Sequence, residues 1–229
     1  MPQATATAAE NMAADWLLLE AFPEPASARL RFYGWSRPAF TFGYSQREAE
    51  ARAASGPATD LIRRPTGGGL VDHRADWTYA LVLPASHPLA QVRACESYKK
   101  VHEALAEALI NAGMPCQLQA DCNKSSAAPQ FSACFEKAET FDIVRPDNGQ
   151  KIAGAAQKRT RAGMLLQGSV ARAAAAEIRD GDEFGENFAQ LVAKALGGSL
   201  QKWREAACSP VQLQETTARF ASAAWNGKR

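Results

Sequence analysis

The sequence lacks the features that mark several large classes of protein. It contains no apolar run long enough to cross a membrane. Residues 1–10 have no basic segment followed by an apolar stretch, so they do not resemble a secretory signal. The formal net charge is only +2, whereas nucleic-acid-binding proteins usually carry a strong basic excess. We therefore expect a cytoplasmic protein whose partners are neither membranes nor nucleic acids.

Cysteine is scarce and unpatterned. The five cysteines form no C-x-x-C pair, so neither a zinc ribbon nor a thioredoxin-like redox site is predicted. Their odd number in a chain of 229 residues argues against a disulfide framework and favours a reducing compartment. Hydrophobic residues make up 46% of the chain and charged residues 22%, values typical of a globular protein. We therefore expect a folded protein without a metal site.

The order of the predicted elements indicates an α+β fold, with helices packed on a mixed, largely antiparallel sheet. Residues 1–10 predict a flexible lead-in, and residues 11–229 a single domain without an accessory C-terminal domain. The sequence Asp147-Asn148-Gly149 predicts a hairpin turn. Residue patterns predict helices at 11–22, 46–54, 92–112, 183–196 and 211–224. They predict strands at 30–35, 40–44, 61–64, 70–73, 77–83, 141–144, 151–157 and 164–170.

A run of three glycines, Gly67-Gly68-Gly69, lies between two of these strands. Glycine runs cost backbone entropy, and a chain tolerates them where the backbone approaches a ligand or φ is positive. Their N–H groups can bind an anion or a carbonyl oxygen, and Arg64 just before the run could pair with phosphate. No Lys-Ser or Lys-Thr pair follows, which excludes a P-loop. A plain flexible turn remains the alternative, and His73 beyond the run is weak evidence for catalysis.

Two further segments contain candidate catalytic side chains. Lys151 begins a predicted strand of small residues, where its amine could donate to a developing oxyanion. A solvent-facing lysine on an edge strand is the alternative reading. Cys134 follows a polar loop, but the residues around it give it no stronger claim than Cys122 or Cys95, since free cysteines are more often buried and inert.

Taken together, these segments resemble the lipoate–protein ligase and octanoyltransferase superfamily. The first signature is R-R-P-T-G-G-G-L-V-D-H followed by W-T-Y, and the second is K-I-A-G-A-A-Q-K-R followed by L-L-Q-G-S-V. Gly43-Tyr44-Ser45-Gln46 and the segment that begins at Asn11 also fit, in the right order. The resemblance extends from Asn11 to Val170 and implies the α+β catalytic domain shared with biotin–protein ligases.

The resemblance also implies an acyl pocket. The glycine run and Lys151 would enclose a medium-length acyl chain, with Lys151 at the acyl carbonyl. It implies the following acyl- or lipoyl-binding residues: Arg64, Gly67, Gly68, Gly69, His73, Gly154, Ala155, Gln157 and Gly168. Lipoyl domains and acyl carrier proteins tend to be acidic, so four basic residues are candidates for carrier docking by long-range attraction: Arg63, Lys158, Arg159 and Arg161.

The segment Ser132-Ala133-Cys134-Phe135 resembles the region of the acyl-accepting cysteine in the cysteine-dependent octanoyltransferase branch. On this reading Cys134 takes an octanoyl group from acyl carrier protein as a thioester. A lysine of a lipoyl-carrier domain, in a 2-oxoacid dehydrogenase E2 subunit or a glycine-cleavage H-type protein, then accepts it as an amide. The expected enzyme is a monomer with no tightly bound cofactor, and octanoyl or lipoyl is its substrate.

Two alternatives remain open. An ATP-dependent lipoate–protein ligase would use the same pocket to form lipoyl-AMP, with ATP and magnesium as co-substrates. A non-catalytic homologue would only bind lipoyl domains. This second alternative arises from three departures from the family pattern, at Asp72, Arg74 and Gln167, which stand where the family usually has an apolar or aromatic residue, aspartate and histidine.

Overall fold

The computed structural model describes residues 4–22, 24, 26–57, 59–120, 138–203 and 208–228. Its main sheet has seven strands in the order β1-β2-β6-β10-β9-β8-β7, and a smaller sheet has the order β4-β3-β5. Pairing is antiparallel except for β1 with β2 and β3 with β4. The strands are β1 Ala4–Ala6, β2 Arg29–Trp35, β3 Ala39–Phe42, β4 Asp60–Arg63, β5 Val71–Asp72, β6 Asp76–Pro84, β7 Gln117–Leu118, β8 Ile143–Val144, β9 Lys151–Arg159 and β10 Gly163–Ala171.

Helices cover both faces of the main sheet, because side chains of its central strands alternate between the two faces. On β6, Tyr79, Leu81 and Leu83 belong to a core cluster with α4 and α5, whereas Ala80 and Val82 belong to a cluster with α1, α6 and α7. The α-helices are α1 Ala8–Glu20, α2 Glu48–Ser55, α3 Pro88–Gln91, α4 Ala94–Asn111, α5 Gly181–Ala195, α6 Pro210–Ala221 and α7 Ala223–Asn226, and a 3-10 helix spans Arg172–Ala175. In the part of the chain described, no helix has the length and apolar character of a membrane span.

The small sheet positions the glycine run. β4 and β5 flank β3, so the Gly67–Gly69 turn connects the two outer strands across the end of β3. Phe40, Phe42 and Leu61 pack with Ala51 of α2 in a separate apolar cluster that supports this sheet. The glycine turn therefore extends from a small sheet that apolar packing holds in place.

The predicted α+β class and the predicted elements are confirmed, with boundary shifts of a few residues. Gly149 has a positive φ in the predicted hairpin between β8 and β9. The short elements β1, β7 and α3 were not predicted. The predicted loop at 120–130 lies outside the described residues except for its first residue.

The predicted flexible lead-in at residues 1–10 needs correction for its described part. Residues 4–6 form β1, which pairs with β2. Thr7 then caps α1 in a capping box: its hydroxyl accepts from the Glu10 N–H, and the Glu10 carboxylate accepts from the Thr7 N–H. This reciprocal pair satisfies donors that the first helical turn leaves open, so ordered structure begins before residue 11.

We predict that Thr7→Ala lowers the free energy of unfolding by about 1 kcal/mol, because the first turn of α1 loses its side-chain acceptor. Chemical denaturation followed by circular dichroism measures the change. Ser199→Ala, at an exposed position, serves as the control and should change stability by less than about 0.5 kcal/mol. Equal stability of Thr7→Ala and the wild type would contradict the role given to this cap.

Candidate functional site

The glycine turn is held by close backbone packing. Gly68 has φ +85°, a region that favours glycine. A Cβ on Gly43 would lie 1.9 Å from the Gly68 carbonyl oxygen, so a side chain at residue 43 would displace the turn. The Tyr44 N–H also donates to the Thr66 carbonyl at 2.8 Å. Residues 43–44 and 66–68 thus form one interlocked unit.

Arg64 organises the same turn. Its guanidinium donates to the Gly67 carbonyl at 2.5 and 3.0 Å and to the Gly69 carbonyl at 2.7 Å. A further bond, of 3.0 Å, reaches the Thr41 carbonyl on β3. Arg64 is 4% exposed, so these bonds fix the turn from inside the protein.

A narrow cavity opens beside this turn. The predicted pocket residues Arg64, Gly68, His73, Gly154, Ala155 and Gly168 all line it. Gly67 and Gly69 are not among the residues that line it, and their carbonyls instead bind Arg64. The remaining lining residues are Met12, Tyr33, Thr41, Val71, Thr78, Ala156, Gln167 and Ser169.

Lys151 lies against one wall of the cavity, with its amine in an ion pair. Its Nζ is 2.7 Å from Asp142 Oδ2, and both side chains are at most 5% exposed. A Cβ on Gly154 would lie 2.8 Å from Nζ, so the glycine that lines the cavity leaves room for the amine. The sequence-based alternative, a solvent-facing lysine on an edge strand, is wrong.

Asp142 connects Lys151 to helix α4. The Tyr98 hydroxyl donates to Asp142 Oδ1 and accepts from the Ala155 N–H at 2.9 Å. Burial raises the pKa of Tyr98, and the neighbouring Asp142 raises it further, so the phenol stays protonated. The carboxylate therefore faces an ammonium group on one oxygen and a neutral donor on the other.

The segment before β8 contains a strained residue directly before Asp142. Phe141 has φ +67°, which is uncommon for a side chain of this size. Its carbonyl accepts from His102 Nδ1 at 2.7 Å, and its N–H donates to the Gln119 carbonyl at 3.0 Å. The Glu139 N–H adds a bond of 2.7 Å to Asp142 Oδ2. Tertiary bonds thus keep a costly backbone conformation next to the Lys151 ion pair.

A second polar network surrounds His73. Its Nδ1 lies 2.7 Å from Asp76 Oδ2, and its Nε2 lies 2.8 Å from the Thr41 hydroxyl. The imidazole stacks on Trp35 with ring centroids 4.0 Å apart. Asp76 Oδ2 also accepts from Ser169 at 2.5 Å, whereas Asp76 Oδ1 is buried with no hydrogen-bond partner among the described residues. His73 is therefore fixed in orientation at the cavity.

A third network links the glycine turn to α1. Gln167 accepts from the Thr66 hydroxyl at 2.8 Å and donates to Asp15 at 2.7 Å. Asp15 also accepts from Arg31 and from the Tyr33 hydroxyl, both at 2.8 Å. Burial raises the pKa of Asp15, although Arg31 and these donors oppose the shift. Gln167, which departs from the family pattern, thus forms part of the cavity wall.

The other two residues that depart from the family pattern, Asp72 and Arg74, form an ion pair with each other. The Arg74 guanidinium contacts the Asp72 carboxylate at 2.6 to 3.0 Å on the surface. The carboxylate that contacts His73 is supplied by Asp76, three residues further along the chain. The pair therefore lies away from the cavity wall.

Gly168 packs against an aromatic ring. A Cβ on this residue would lie 2.2 Å from the Tyr79 ring, so only glycine fits opposite Tyr79 on β10. The Tyr79 hydroxyl is buried and has no hydrogen-bond partner among the described residues. This ring supports the wall of the cavity from the core side.

Several predicted site residues lie elsewhere. Arg63 is fully buried and donates to the carbonyls of Tyr44, Gln46 and Asn226, so the prediction that it docks a carrier is wrong. Gln157 bonds to the Ala94 carbonyl at the start of α4 and does not contact the cavity, contrary to its predicted role.

The other predicted docking residues occupy the far end of β9. Arg159 donates to the carbonyls of Ala90 and Val92, which anchors the connection between α3 and α4. The amine of Lys158 lies 5.2 Å from the Tyr44 ring centroid, and Arg161 is exposed in the turn that follows β9. Lys158 is partly exposed and Arg161 is exposed, so both can be reached from the surface.

Cys134 lies outside the described residues. The free cysteines in the described ranges are Cys95, Cys116 and Cys208, and none of them lines the cavity. Burial raises the pKa of Cys116 to about 11, which makes its thiol a poor nucleophile. In those ranges no group of three or more histidine, cysteine or acidic side chains could hold a metal ion.

Sequence reasoning did not identify Asp142 or Tyr98 as site residues. Asp142 could have been found from the predicted hairpin, because β8 pairs with the start of β9 and places the residue before β8 near Lys151. No comparable sequence pattern points to Tyr98, because it lies on helix α4 and not on a strand paired with β9.

Comparison with known proteins identifies the family of this chain. The model of the lipoyl protein ligase A/B catalytic domain matches residues 7–196, which include the glycine turn, Lys151 and β10. The chain belongs to this family. The octanoyltransferase LipM of Kyrpidia tusciae is 33% identical to this member over 171 residues, which cover 72% of the chain and 62% of that relative. The chain thus spans less than two thirds of the length of this relative.

Solved structures share the fold. Protein Ta0514 from T. acidophilum, in a structure with bound lipoic acid, superposes with a TM-score of 0.71 at 17% identity and covers 100% of this chain and 97% of that one. A lipoate-protein ligase A bound with ATP superposes with a TM-score of 0.68 at 17% identity, covering 99% and 98%. At this level of identity the likeness establishes the architecture.

We predict that folding stability falls in mild acid through His102. Burial lowers the pKa of this histidine to about 4 from its ordinary 6.5, because the interior disfavours the charged form. Below pH 6.5 the unfolded chain binds a proton that the folded chain does not, so this stability is lost progressively as the pH falls from about 6.5 towards 4. The expected loss between pH 7 and pH 5 is about 2 kcal/mol.

Urea denaturation across this pH range measures the effect. His102→Asn, whose amide can still donate to Phe141, should flatten the dependence, whereas His87→Asn, at a half-buried helix cap, should keep it. An unchanged slope in His102→Asn would show that other groups cause the loss.

Proposed function

We propose that this protein transfers an octanoyl group to a lysine of a lipoyl-carrier domain. The observation that carries the proposal is the meeting of the glycine turn and the buried amine at one slot. Gly68 and Gly154 line the same cavity, and Lys151 lies directly behind Gly154. An acyl chain in this cavity would have its carbonyl near the amine. The name of the LipM relative supports octanoyl as the group transferred.

Lys151 stabilises the oxyanion in this proposal. Its charge is balanced by Asp142, and the site is largely closed to water, so a developing negative charge would interact with it strongly. The Tyr98 hydroxyl and the Glu139 N–H hold Asp142 in place. The amine is thus preorganised before an acyl group arrives.

Cys134 is the proposed acyl acceptor. Its thiolate attacks the carbonyl of the octanoyl thioester on a carrier protein, and the carrier thiolate leaves and takes up a proton. The amine of the acceptor lysine then attacks the acyl-enzyme, an amide forms, its excess proton is released, and the Cys134 thiolate is regenerated. The thioester is already activated, so no ATP is consumed.

The short chain between Cys134 and Glu139 is compatible with this role. The Glu139 N–H bonds to the carboxylate that pairs with Lys151. Five peptide units separate residue 134 from residue 139, so their Cα atoms are at most about 18 Å apart.

Lys158 and Arg161 are proposed to attract the carrier proteins. Lys158 lies on β9 near Tyr44, and Arg161 lies in the turn that follows this strand. An acidic carrier domain would meet this positive surface at the edge of the cavity, and salt would weaken the attraction.

We predict that incubation with octanoyl carrier protein, without ATP, adds one octanoyl mass to the protein at Cys134. Intact-mass analysis followed by peptide mapping detects it. Cys134→Ser should lose both the adduct and the transfer to a lipoyl domain, whereas Cys95→Ser, at an exposed cysteine, should keep both.

Parallel incubation with lipoate and ATP tests the ligase alternative. If the protein transfers lipoate in this reaction and forms no cysteine adduct with octanoyl carrier protein, it is a ligase and not an octanoyltransferase. If the protein binds a lipoyl domain but transfers an acyl group from neither donor, it is a binding protein without catalytic activity.

We predict that Lys151→Ala lowers the rate of transfer by about 100-fold or more, because the oxyanion loses its cationic donor. Asp142→Asn should lower kcat by about tenfold with a smaller change in KM, because the amine loses the partner that orients it. Steady-state transfer assays measure both. Lys202→Ala, at an exposed lysine paired with Glu186, is the control and should match the wild type. Normal turnover by Lys151→Ala would exclude the proposed site.

A further inference from the structure

A charged side chain at the base of the glycine turn is enclosed by residues from the far end of the described chain. Arg63, the last residue of β4, has an exposed fraction of 0%. Its Nε and Nη2 donate to the Asn226 carbonyl at 3.2 and 2.7 Å, and its backbone N–H donates to Asn226 Oδ1 at 2.7 Å. In return, Trp225 Nε1 donates to the Arg63 carbonyl at 2.8 Å. Both backbone polar groups of Arg63 are therefore satisfied by residues 225–226.

Arg63 also bonds to the segment against which the glycine turn packs. Its Nη1 donates to the Tyr44 carbonyl at 2.5 Å and to the Gln46 carbonyl at 2.7 Å. The Tyr44 N–H bonds to Thr66, and Gly43 packs on Gly68. Arg64, the next residue, binds the carbonyls of Gly67 and Gly69. Displacement of Arg63 would therefore act on the turn from both sides.

Residues 225–226 are themselves firmly held. The Asn226 amide donates to the carbonyls of Phe220 and Ser222, and the Ser222 hydroxyl accepts from the Trp225 N–H. The Trp225 ring packs edge-on against Phe220, 4.9 Å away. These residues lie beyond position 196, where the match to the family model ends. The attachment is thus made by a part of the chain that the family resemblance does not describe.

We propose that Trp225 and Asn226 are positioning residues for the glycine turn. They hold Arg63 at the end of β4, and Arg63 in turn holds the segment at Tyr44 and Gln46 against which the turn packs. The geometry of the cavity then depends on α6 and α7, which contribute no residue to its lining. The consequence for acyl binding rests on the proposed function, but the positioning itself does not.

Amide hydrogen exchange on the full chain tests the proposal. Trp225→Phe keeps an aromatic ring against Phe220 but removes the donor to the Arg63 carbonyl. Exchange in residues 61–70 should become about fivefold to tenfold faster, because one buried hydrogen bond no longer opposes local opening. Trp77→Phe makes the same change of residue in the other core cluster and should leave residues 61–70 at the wild-type rate. Asn226→Ala, which removes the acceptor of the Arg63 N–H, should reproduce the local effect.

Transfer kinetics supply the second measurement. Trp225→Phe should raise KM for the octanoyl carrier about fivefold while kcat stays within about twofold, because the slot is displaced and Lys151 is not. Unchanged exchange in residues 61–70 for Trp225→Phe, or an equal change in Trp77→Phe, would overturn the proposal. Absence of transfer by the wild type would refute the proposed function and leave the exchange result to decide the positioning role.

Discussion

The close contact between two backbone segments, at Gly43 and at Gly68, determines the geometry of the site. No side chain fits between them, since a Cβ on Gly43 would overlap the Gly68 carbonyl. This contact brings the turn beside Ala156, whose Cβ lies near the position where a Gly68 side chain would begin. Glycine is required at these points because the turn lies directly against residue 43 on one side and close to β9 on the other.

Buried charges maintain this arrangement, and each has assigned partners. Arg63 and Arg64 donate to backbone carbonyls, Lys151 pairs with Asp142, and Asp15 pairs with Arg31. An ion taken out of water costs several kcal/mol unless partners compensate, so these contacts specify one conformation more than they add net stability. The removal of one partner is therefore expected to cost more than the pair contributes. Variants at this site need a measure of stability beside the measure of activity.

Much of the fold could be predicted because its periodic elements are long. β6, β9, β10, α4 and α5 each carry enough alternation or helical spacing to be recognised. β1 and β7 have three and two residues, too few for a period to be visible. The start of α1 was accessible in principle, because Thr7 and Glu10 have the spacing of a capping box.

The glycine run stood out in the sequence itself, whereas the place of Lys151 beside the same cavity followed from the family resemblance and not from its local spacing. The role of a residue could not be predicted where its partners are distant in the sequence. Arg63 and Arg64 are neighbours of the same type in the sequence, yet one binds the glycine turn and the other binds Asn226, 163 positions away. No local pattern separates these two environments. The same holds for Tyr98, whose side chain reaches β9 from α4.

The Tyr79 ring behind Gly168 has a consequence for the range of conditions in which the slot can work. Burial raises the pKa of this phenol, and the negative charge of Asp142 raises it further. The hydroxyl thus remains neutral in mildly alkaline as well as acidic solution. An apolar group against Gly168 would therefore lie on a wall that stays uncharged across this range of pH.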